Sequence, residues 1–342
     1  MSKKQTTGLI VAAVIFVIVG IISVITNTLS SSMSKKSSTT DFEAALESLY
    51  GTSNEALAGM PTTKDFIAVL PIEGTIQAST GGSSLYGATE TYNHDMLMEY
   101  ANLLMKNDCN KGIILRLNTP GGSVYEADEL YLKLLEYKEK TGNPIWAYME
   151  SQCCSGGVYL AAAANEQYAN RITTTGSIGV IMSTYDMSEL YEKLGIKEVN
   201  IVSSDNKDMG TAAKPMTSEQ KAIYQSFVDE YYNQFVEIVA TGRNMSVEEV
   251  KKLADGRIYT ATQAVDNGLI DGIKTSEEFD AYVKETSGVD EFFVPSAAKD
   301  PWSQLFGMMA NTKEKSEAEV LVELMNNVGS GVPMYYAEPY GK

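Results

Sequence analysis

Short apolar runs alternate along this chain with segments whose apolar residues recur every three or four positions. The first pattern predicts buried strands, and the second predicts amphipathic helices. The predicted strands are 66–74, 112–118, 144–150, 177–182 and 196–202, and the predicted helices are 124–140, the start of 156–169, 187–195 and 217–243. A helix and a turn are predicted within 254–273. Because strands and helices alternate, the expected fold class is α/β with mainly parallel strand pairing.

The N-terminal segment carries the strongest apolar signal. No charged residue interrupts Gly8–Thr26, and the nearest charges are Lys4 and Lys35. At about 1.5 Å per residue this run spans a bilayer core of about 30 Å, so we expect a retained membrane anchor. A cleaved signal peptide is the alternative, but it would have a shorter apolar stretch of roughly 7–15 residues and end at small residues. Lysines stand on both sides of the run, so charge alone does not set its orientation.

Composition divides the chain into four predicted regions. Residues 1–27 contain the anchor, and the Ser- and Thr-rich residues 28–62 are predicted to be a tether. Residues 63–290 contain the alternating pattern and are expected to form one catalytic domain, since they show no internal repeat. Residues 291–342 are predicted to form a charged helical segment followed by a flexible, tyrosine-rich tail.

Charge and cysteine content narrow the classes of function. The chain has 27 basic and 44 acidic residues, which gives a net charge of −17. Such a chain repels phosphate backbones, so we do not expect nucleic acid as a partner. The three cysteines, Cys109, Cys153 and Cys154, form neither a CxxC motif nor a disulfide framework, so we expect buried free thiols and no zinc site.

Two predicted strand ends are followed by a glycine-rich turn and a helix. In NTPGGSV (118–124), backbone N–H groups can point into a cavity and hold an anion, although such glycines often have a purely steric role. In QCCSGGV (152–158), Ser155 lies between a strand and a helix among small residues. Its hydroxyl is either a helix N-cap or a nucleophile whose alkoxide the helix dipole favours. A nucleophilic hydroxyl also requires a base.

Two residue types could supply that base. The single histidine, His94, stands in TYNHDMLMEY, where an ordinary surface role is the simpler expectation. A lysine can serve instead if burial favours its neutral amine. Lys197, Lys207 and Lys214 are the nearest candidates, and Lys207 stands in a polar turn after a predicted strand.

Several spaced motifs together resemble peptidase family S49, the signal peptide peptidase A family. They are LRLNTPGGSV, SGGVYLAAAANEQYANRITTTGSIGVI, SSDNKDMG and ADGRIYTATQAVDNGLID, within about 64–275. The resemblance implies a Clp protease/crotonase fold of stacked ββα units, here preceded by a transmembrane helix. It also implies that Ser155 is the nucleophile and Lys207 the general base. The N–H groups of Gly122 and Gly156 would form the oxyanion hole, and Ser177 would orient the lysine amine.

The family resemblance implies a membrane-anchored Ser-Lys endopeptidase that degrades cleaved signal peptides and other apolar peptides through an acyl-enzyme. No metal or cofactor is expected. The catalytic domain is expected outside the cytoplasm, in a ring-like homo-oligomer whose serine and lysine can come from neighbouring subunits. Two departures from the family pattern are Cys153 and Cys154, in place of alanine-like residues, and Ser203, in place of a lysine.

Other functions fit parts of the same sequence. A crotonase-like acyl-CoA enzyme would bind CoA and would not need Ser155, but it leaves the anchor unexplained. An inactive scaffold for membrane partners is a third possibility, against which the complete set of Ser155, Lys207 and Gly122 argues. The apolar C-terminal end, VPMYYAEPYGK, is expected either to be self-cleaved or to dock in the active-site groove.

Overall fold

The computed structural model describes residues 60–79, residues 92–295 and the backbone of residues 334–336. All of them lie within one compact unit, Leu57–Lys342. The described strands are β1 (Phe66–Glu73), β2 (Asn110–Thr119), β3 (Gly121–Ser123), β4 (Ile145–Cys154), β5 (Glu166–Ala169), β6 (Thr174–Gly176), β7 (Ile258–Thr260), β8 (Gly272–Ile273), β9 (Phe292–Phe293) and β10 (Met334–Tyr336). The described helices are α1 (His94–Leu104), α2 (Val124–Thr141), α3 (Gly156–Ala161), α4 (Ser188–Lys193), α5 (Ser218–Arg243), α6 (Val247–Leu253), α7 (Ala261–Asp266) and α8 (Ser276–Ser287).

A central, mostly parallel sheet organises the described chain. Its strands run in the order β7-β6-β4-β2-β1-β9, and β5 pairs with β4 and with β8. Only the β6–β7 pair in this sheet is antiparallel. The protein is therefore a mixed α/β structure with a central sheet, which fits the predicted Clp/crotonase type.

Both faces of the sheet are buried, because the central strands carry continuous apolar runs, Phe66–Ile72 in β1, Ile113–Leu115 in β2 and Ile145–Met149 in β4. Phe66, Leu70 and Ile72 of β1 point into a large core with side chains of α1, α2, α3 and α5. Ile67 and Val69 point to the opposite face, where side chains of α8 cover them. Continuous apolar strands are typical of parallel sheets covered on both sides. Each fully buried side chain of this size contributes about 1.5–3 kcal/mol.

Three of the predicted elements differ in the structure. The predicted strand 177–182 is wrong. The strand in this region is β6, which precedes residue 177, and positive φ angles at Gly176 (87°) and Ser177 (52°) end it there. The helix predicted to open 156–169 ends at Ala161, and the segment continues into strand β5.

The predicted strand 196–202 is also wrong, since this segment lies outside every strand and Ile201 is fully exposed. A run of β-branched residues forms no strand without a neighbouring strand to pair with. Within the described ranges, no helix is long and apolar enough to cross a membrane, and the predicted anchor Gly8–Thr26 lies outside those ranges.

Candidate active site

Ser155 stands at a sharp turn between the end of β4 and the start of α3. Its φ of 52° lies in the region that glycine favours, which costs a serine about 1–3 kcal/mol. The residue is 1% exposed, and its Oγ has no hydrogen-bond partner among the described residues. The side chain therefore does not cap α3, so the N-cap alternative is not supported. A strained, buried hydroxyl without a partner is an arrangement that functional sites show more often than structural ones.

The Gly121–Gly122 turn is fixed against Ile76. The Ile76 N–H donates to the Gly121 carbonyl at 2.9 Å, and the Ser123 N–H donates to the Ile76 carbonyl at 2.8 Å. A Cβ on Gly122 would lie 1.9 Å from the Ile76 carbonyl oxygen, so only glycine fits there. In a trans peptide the N–H points opposite to the C=O. Because the Gly121 carbonyl points at Ile76, the Gly122 N–H points away from it.

Gly156 brings the serine turn and the glycine turn together. A Cβ built on Gly156 would lie 3.4 Å from the Gly122 nitrogen and 3.3 Å from the Gly121 Cα. The Gly156 N–H belongs to the first turn of α3, where N–H groups have no acceptor within the helix. The two N–H groups predicted for an oxyanion hole therefore come from backbone segments in contact, both next to Ser155.

Ser177 lies beside Ser155 at the end of the neighbouring strand. Cys154 is paired with Gly176 in the β4–β6 register, and the Ser155 N–H donates to the Gly176 carbonyl at 2.8 Å. The next residue on each strand is one of the two serines, so their backbones are about 5 Å apart, the usual strand spacing. Ser177 is half-buried, and it shares the unusual φ of 52°.

Lys207 is not brought to Ser155 within this chain. It is exposed in a turn after α4, and the Ser155 Oγ has no hydrogen-bond partner in the described part of the protein. Lys214 is held by Asp208 at 2.7 Å, and this hydrogen bond lowers the pKa of the Asp208 carboxyl. The structure thus joins four of the five predicted site residues and leaves the predicted base apart.

The expectation that His94 is a surface residue is wrong. His94 is 5% exposed, and its Nδ1 lies 2.9 Å from the Tyr92 hydroxyl. Its Nε2 lies 3.1 Å from a carboxylate oxygen of Glu129. Both ring nitrogens are therefore engaged in a local network at the start of α1, which leaves neither free to accept the proton of Ser155.

Cys153 and Cys154 are buried free thiols immediately before Ser155, as expected from the sequence. Burial raises the pKa of Cys154 to about 11 and raises that of Cys153 as well. Cys109 is free and only partly buried. The two thiols at the site are therefore neutral near pH 7 and act as small apolar groups.

A short strand from the C-terminal region pairs with the glycine turn. In β10 the backbone of Tyr335 is opposite Gly122, and pairing with β3 is antiparallel. β10 lies on the edge of β3 that faces away from Ile76. The Gly122 N–H points toward this same edge. An extended peptide therefore fits along this edge, and the remainder of the predicted C-terminal helix and tail lies outside the described residues.

Two positions that hold the site were not predicted from the sequence. Ile76 carries the glycine turn through its backbone, and no side-chain pattern identifies such a role. Thr119 accepts a hydrogen bond from the Gly121 N–H at 3.0 Å. Its position directly before the Pro-Gly-Gly turn was the available signal. Among the described residues, no group of three His, Cys, Asp or Glu side chains is placed to hold a metal ion.

The mixed α/β fold and this turn of serine beside a glycine-rich loop define a serine-hydrolase type of site. The model of peptidase family S49 matches residues 137–290, which include Ser155, Ser177 and Lys207. The protein named "Putative signal peptide peptidase SppA" from Enterococcus faecium is 40% identical over 66% of this chain and 64% of its own length.

Two further relatives extend this similarity. "Putative protease MJ0651" from Methanocaldococcus jannaschii is 34% identical over 61% of this chain and 68% of its own length. "Protease 4" from Haemophilus influenzae is 27% identical over 82% of this chain and 48% of its own. The chain spans just under two thirds of the length of the Enterococcus relative. This chain belongs to peptidase family S49.

Proposed function

We propose that the protein is a serine endopeptidase in which Ser155 is the nucleophile and Lys207 the general base. The observation that carries the proposal is the buried Ser155 hydroxyl, which lies on a strained backbone beside two glycine N–H groups and has no hydrogen-bond partner among the described residues. Such a hydroxyl has no structural task that accounts for the cost of its burial.

The proposed reaction is hydrolysis of a peptide bond in two steps. The Ser155 Oγ attacks the carbonyl carbon while the Lys207 amine takes the hydroxyl proton. The negative oxygen of the tetrahedral intermediate accepts hydrogen bonds from the N–H groups of Gly122 and Gly156. The lysine then returns the proton to the leaving amine, and an acyl-enzyme remains. The same lysine then deprotonates a water molecule, whose oxygen attacks the acyl carbon. The bond to the Ser155 Oγ breaks, the Oγ takes the proton back from the lysine, and the acid is released, while Ser177 orients the amine throughout.

The base comes, in this proposal, from a neighbouring copy of the chain. Lys207 lies in an arm, residues 181–216, that presents large exposed apolar side chains. Val199 is 83% exposed and Ile201 is 100% exposed. Contact between copies would bury these side chains and could place one copy's lysine over the other copy's serine. Burial of an amine between subunits also favours its neutral form.

Mixing two inactive variants tests the reaction and the shared site together. Ser155→Ala and Lys207→Met should each lose several orders of magnitude of activity on an apolar peptide. If each site combines residues of two copies, a mixed assembly of both variants should recover about one quarter of the wild-type activity. Lys197→Met is the matched control and should keep full activity. Recovery near zero would mean that each chain supplies both residues, and an active Lys207→Met protein would refute the Ser-Lys mechanism.

The proposed substrates are apolar peptides in extended form, including cleaved signal peptides. The pairing of β10 with β3 supports this, since it shows that the edge at Gly122 accepts an antiparallel strand. The name of the Enterococcus relative points to the same substrates. Digestion of a synthetic signal peptide, with product masses measured, tests this part.

We also propose that Gly8–Thr26 anchors the protein in the cell membrane with the catalytic domain outside the cytoplasm, and that residues 63–290 form this domain. The uncharged run of Gly8–Thr26 supports the anchor. Alkaline carbonate should leave the full-mass protein in the membrane pellet. A soluble chain with a new N-terminus near Ser30 would instead indicate a cleaved signal peptide.

A further inference from the structure

Thr119, the last residue of β2, contacts three parts of the candidate site. Its hydroxyl donates to the Gly74 carbonyl at 2.5 Å and accepts from the Gly121 N–H at 3.0 Å. Its methyl group packs where a Cβ on Gly157, in the helix that follows Ser155, would come within 2.8 Å. The residue is fully buried. One side chain therefore touches strand β1's end, the glycine turn and the serine helix.

Two hydrogen bonds fix the conformation of Gly121, and the Thr119 hydroxyl makes one of them. This glycine has a φ of 97°, which an L side chain rarely adopts. Its N–H is held by Thr119, and its carbonyl is held by the Ile76 N–H at 2.9 Å. Holding both ends of a residue defines its two backbone torsions, so the plane of the next peptide is defined as well.

That next peptide carries the Gly122 N–H. Its direction depends on the torsions of Gly121, because the peptide plane turns as a rigid unit. Removal of the hydroxyl would leave the Gly121 N–H without the acceptor that holds it. The Gly74 carbonyl would also lose its hydroxyl donor.

We propose that Thr119 is a positioning residue, whose hydroxyl acts through Gly121 to keep the Gly122 N–H directed at the oxygen that develops negative charge. The inference rests on the proposed peptidase function. It predicts that the hydroxyl matters for the catalytic step and less for peptide binding, because an oxyanion donor acts most strongly in the transition state.

Three variants separate the hydroxyl from the methyl group. Thr119→Val keeps the shape and removes the hydroxyl, whereas Thr119→Ser keeps the hydroxyl and removes the methyl. We expect kcat to fall about 10- to 100-fold in Thr119→Val with KM within about threefold, and kcat of Thr119→Ser to stay within about threefold of wild type. If the valine variant does not fold, Thr119→Ala takes its place. It also lacks the hydroxyl, and it differs from Thr119→Ser by that hydroxyl alone.

Thr173→Val is the matched control for loss of a buried hydroxyl. The Thr173 hydroxyl lies within hydrogen-bond distance of the Met149 carbonyl, at 3.0 Å, and of the Glu150 carbonyl, away from the glycine turn. The Thr173→Val variant should lower the melting temperature about as much as Thr119→Val does, and its kcat should stay near the wild-type value. Amide hydrogen exchange of the segment 118–124 provides a readout that needs no substrate, and only the Thr119 variants without a hydroxyl should exchange Gly121 faster.

The outcomes distinguish the two proposals. If wild type cleaves peptides, Ser155→Ala does not, and Thr119→Val matches Thr173→Val in kcat and exchange, the role of Thr119 is refuted while the peptidase stands. If wild type and Ser155→Ala cleave equally, the proposed function fails, and with it the catalytic role given to Thr119. Faster exchange of Gly121 in Thr119→Val together with the loss of kcat would support the inference.

Discussion

Replacing Gly122 by alanine should disable the proposed oxyanion hole while leaving the fold in place. The added Cβ would lie 1.9 Å from the Ile76 carbonyl oxygen and 2.7 Å from the Ile76 nitrogen. An ordinary contact between such atoms is about 3.5 Å, so the turn or Ile76 must move by roughly 1.5 Å. Both neighbours are backbone, and Ile76 itself is fully buried. The turn therefore cannot avoid the clash by a rotamer change.

A displacement of that size removes the Gly122 N–H from hydrogen-bond range. An oxyanion donor acts at about 2.7–3.1 Å, and loss of one such donor lowers kcat by about 10²–10³, or roughly 2.7–4 kcal/mol. We expect this loss in Gly122→Ala, with KM changed less. The assay is steady-state cleavage of one apolar peptide, with circular dichroism and thermal melting to establish that the variant is folded.

Gly142→Ala is the control for a glycine-to-alanine change without a clash. Gly142 ends α2 with a φ of 69°, and a Cβ there would meet nothing within 4 Å. It should cost about 1 kcal/mol of stability from the left-handed conformation and leave kcat unchanged. A folded Gly122→Ala protein with kcat within threefold of wild type would refute the assignment of Gly122 to the oxyanion hole.

Two further predictions concern the C-terminal strand and the thiols. Tyr335→Pro removes a backbone donor opposite Gly122, so β10 should pair less well with β3. If β10 competes with substrate for this edge, KM for an added peptide should fall with kcat unchanged, while Tyr335→Val should behave as wild type. An unchanged KM would mean that β10 does not compete with substrate. At pH 8 a thiol of pKa about 11 is ionised in about one molecule per thousand, so iodoacetamide should label Cys109 and spare Cys154 in the folded protein. Mass spectrometry of native and denatured samples measures the labelling. In the unfolded chain a thiol ionises near pH 8.5, so the higher pKa of the buried Cys154 contributes stability that is fully present below pH 8.5 and is lost as the pH rises towards 11.

The central sheet and the serine turn were predictable because their signals are local. Strand β1 is apolar from Phe66 to Ile72 and β2 contains the apolar run Ile113–Leu115, and such short continuous runs distinguish a strand buried on both faces from an amphipathic helix. Ser155 was identified by a strand end followed by small residues, and close packing around the turn does require glycine. At Gly157 a Cβ would lie 2.8 Å from the Thr119 methyl group.

The rest of the site depends on contacts between distant segments, which a local pattern does not show. The role of Ile76 in the glycine turn comes from its backbone N–H and carbonyl, which the residue type does not reveal. His94 was expected at the surface, yet it is buried, and Tyr92 and Glu129 contact its two ring nitrogens. The apolar residues of 196–202 indicated a strand, but no neighbouring strand pairs with them, so the same residues remain exposed.

The contacts around Lys207 favour the proposal that a second copy, and not a movement of the chain's own turn, completes the site. The turn is fixed to α5, since Asn206 bonds Glu219 at 3.1 Å and the Tyr224 hydroxyl donates to the Met209 carbonyl at 3.2 Å. Swinging the lysine inward would break these contacts and would still leave Ile201 exposed to water. Association of two copies keeps the contacts and removes apolar side chains from water, at about 1.5–3 kcal/mol for each one fully buried. The proposed active site shared between subunits would account both for the exposed arm and for the Ser155 Oγ, which has no hydrogen-bond partner among the described residues.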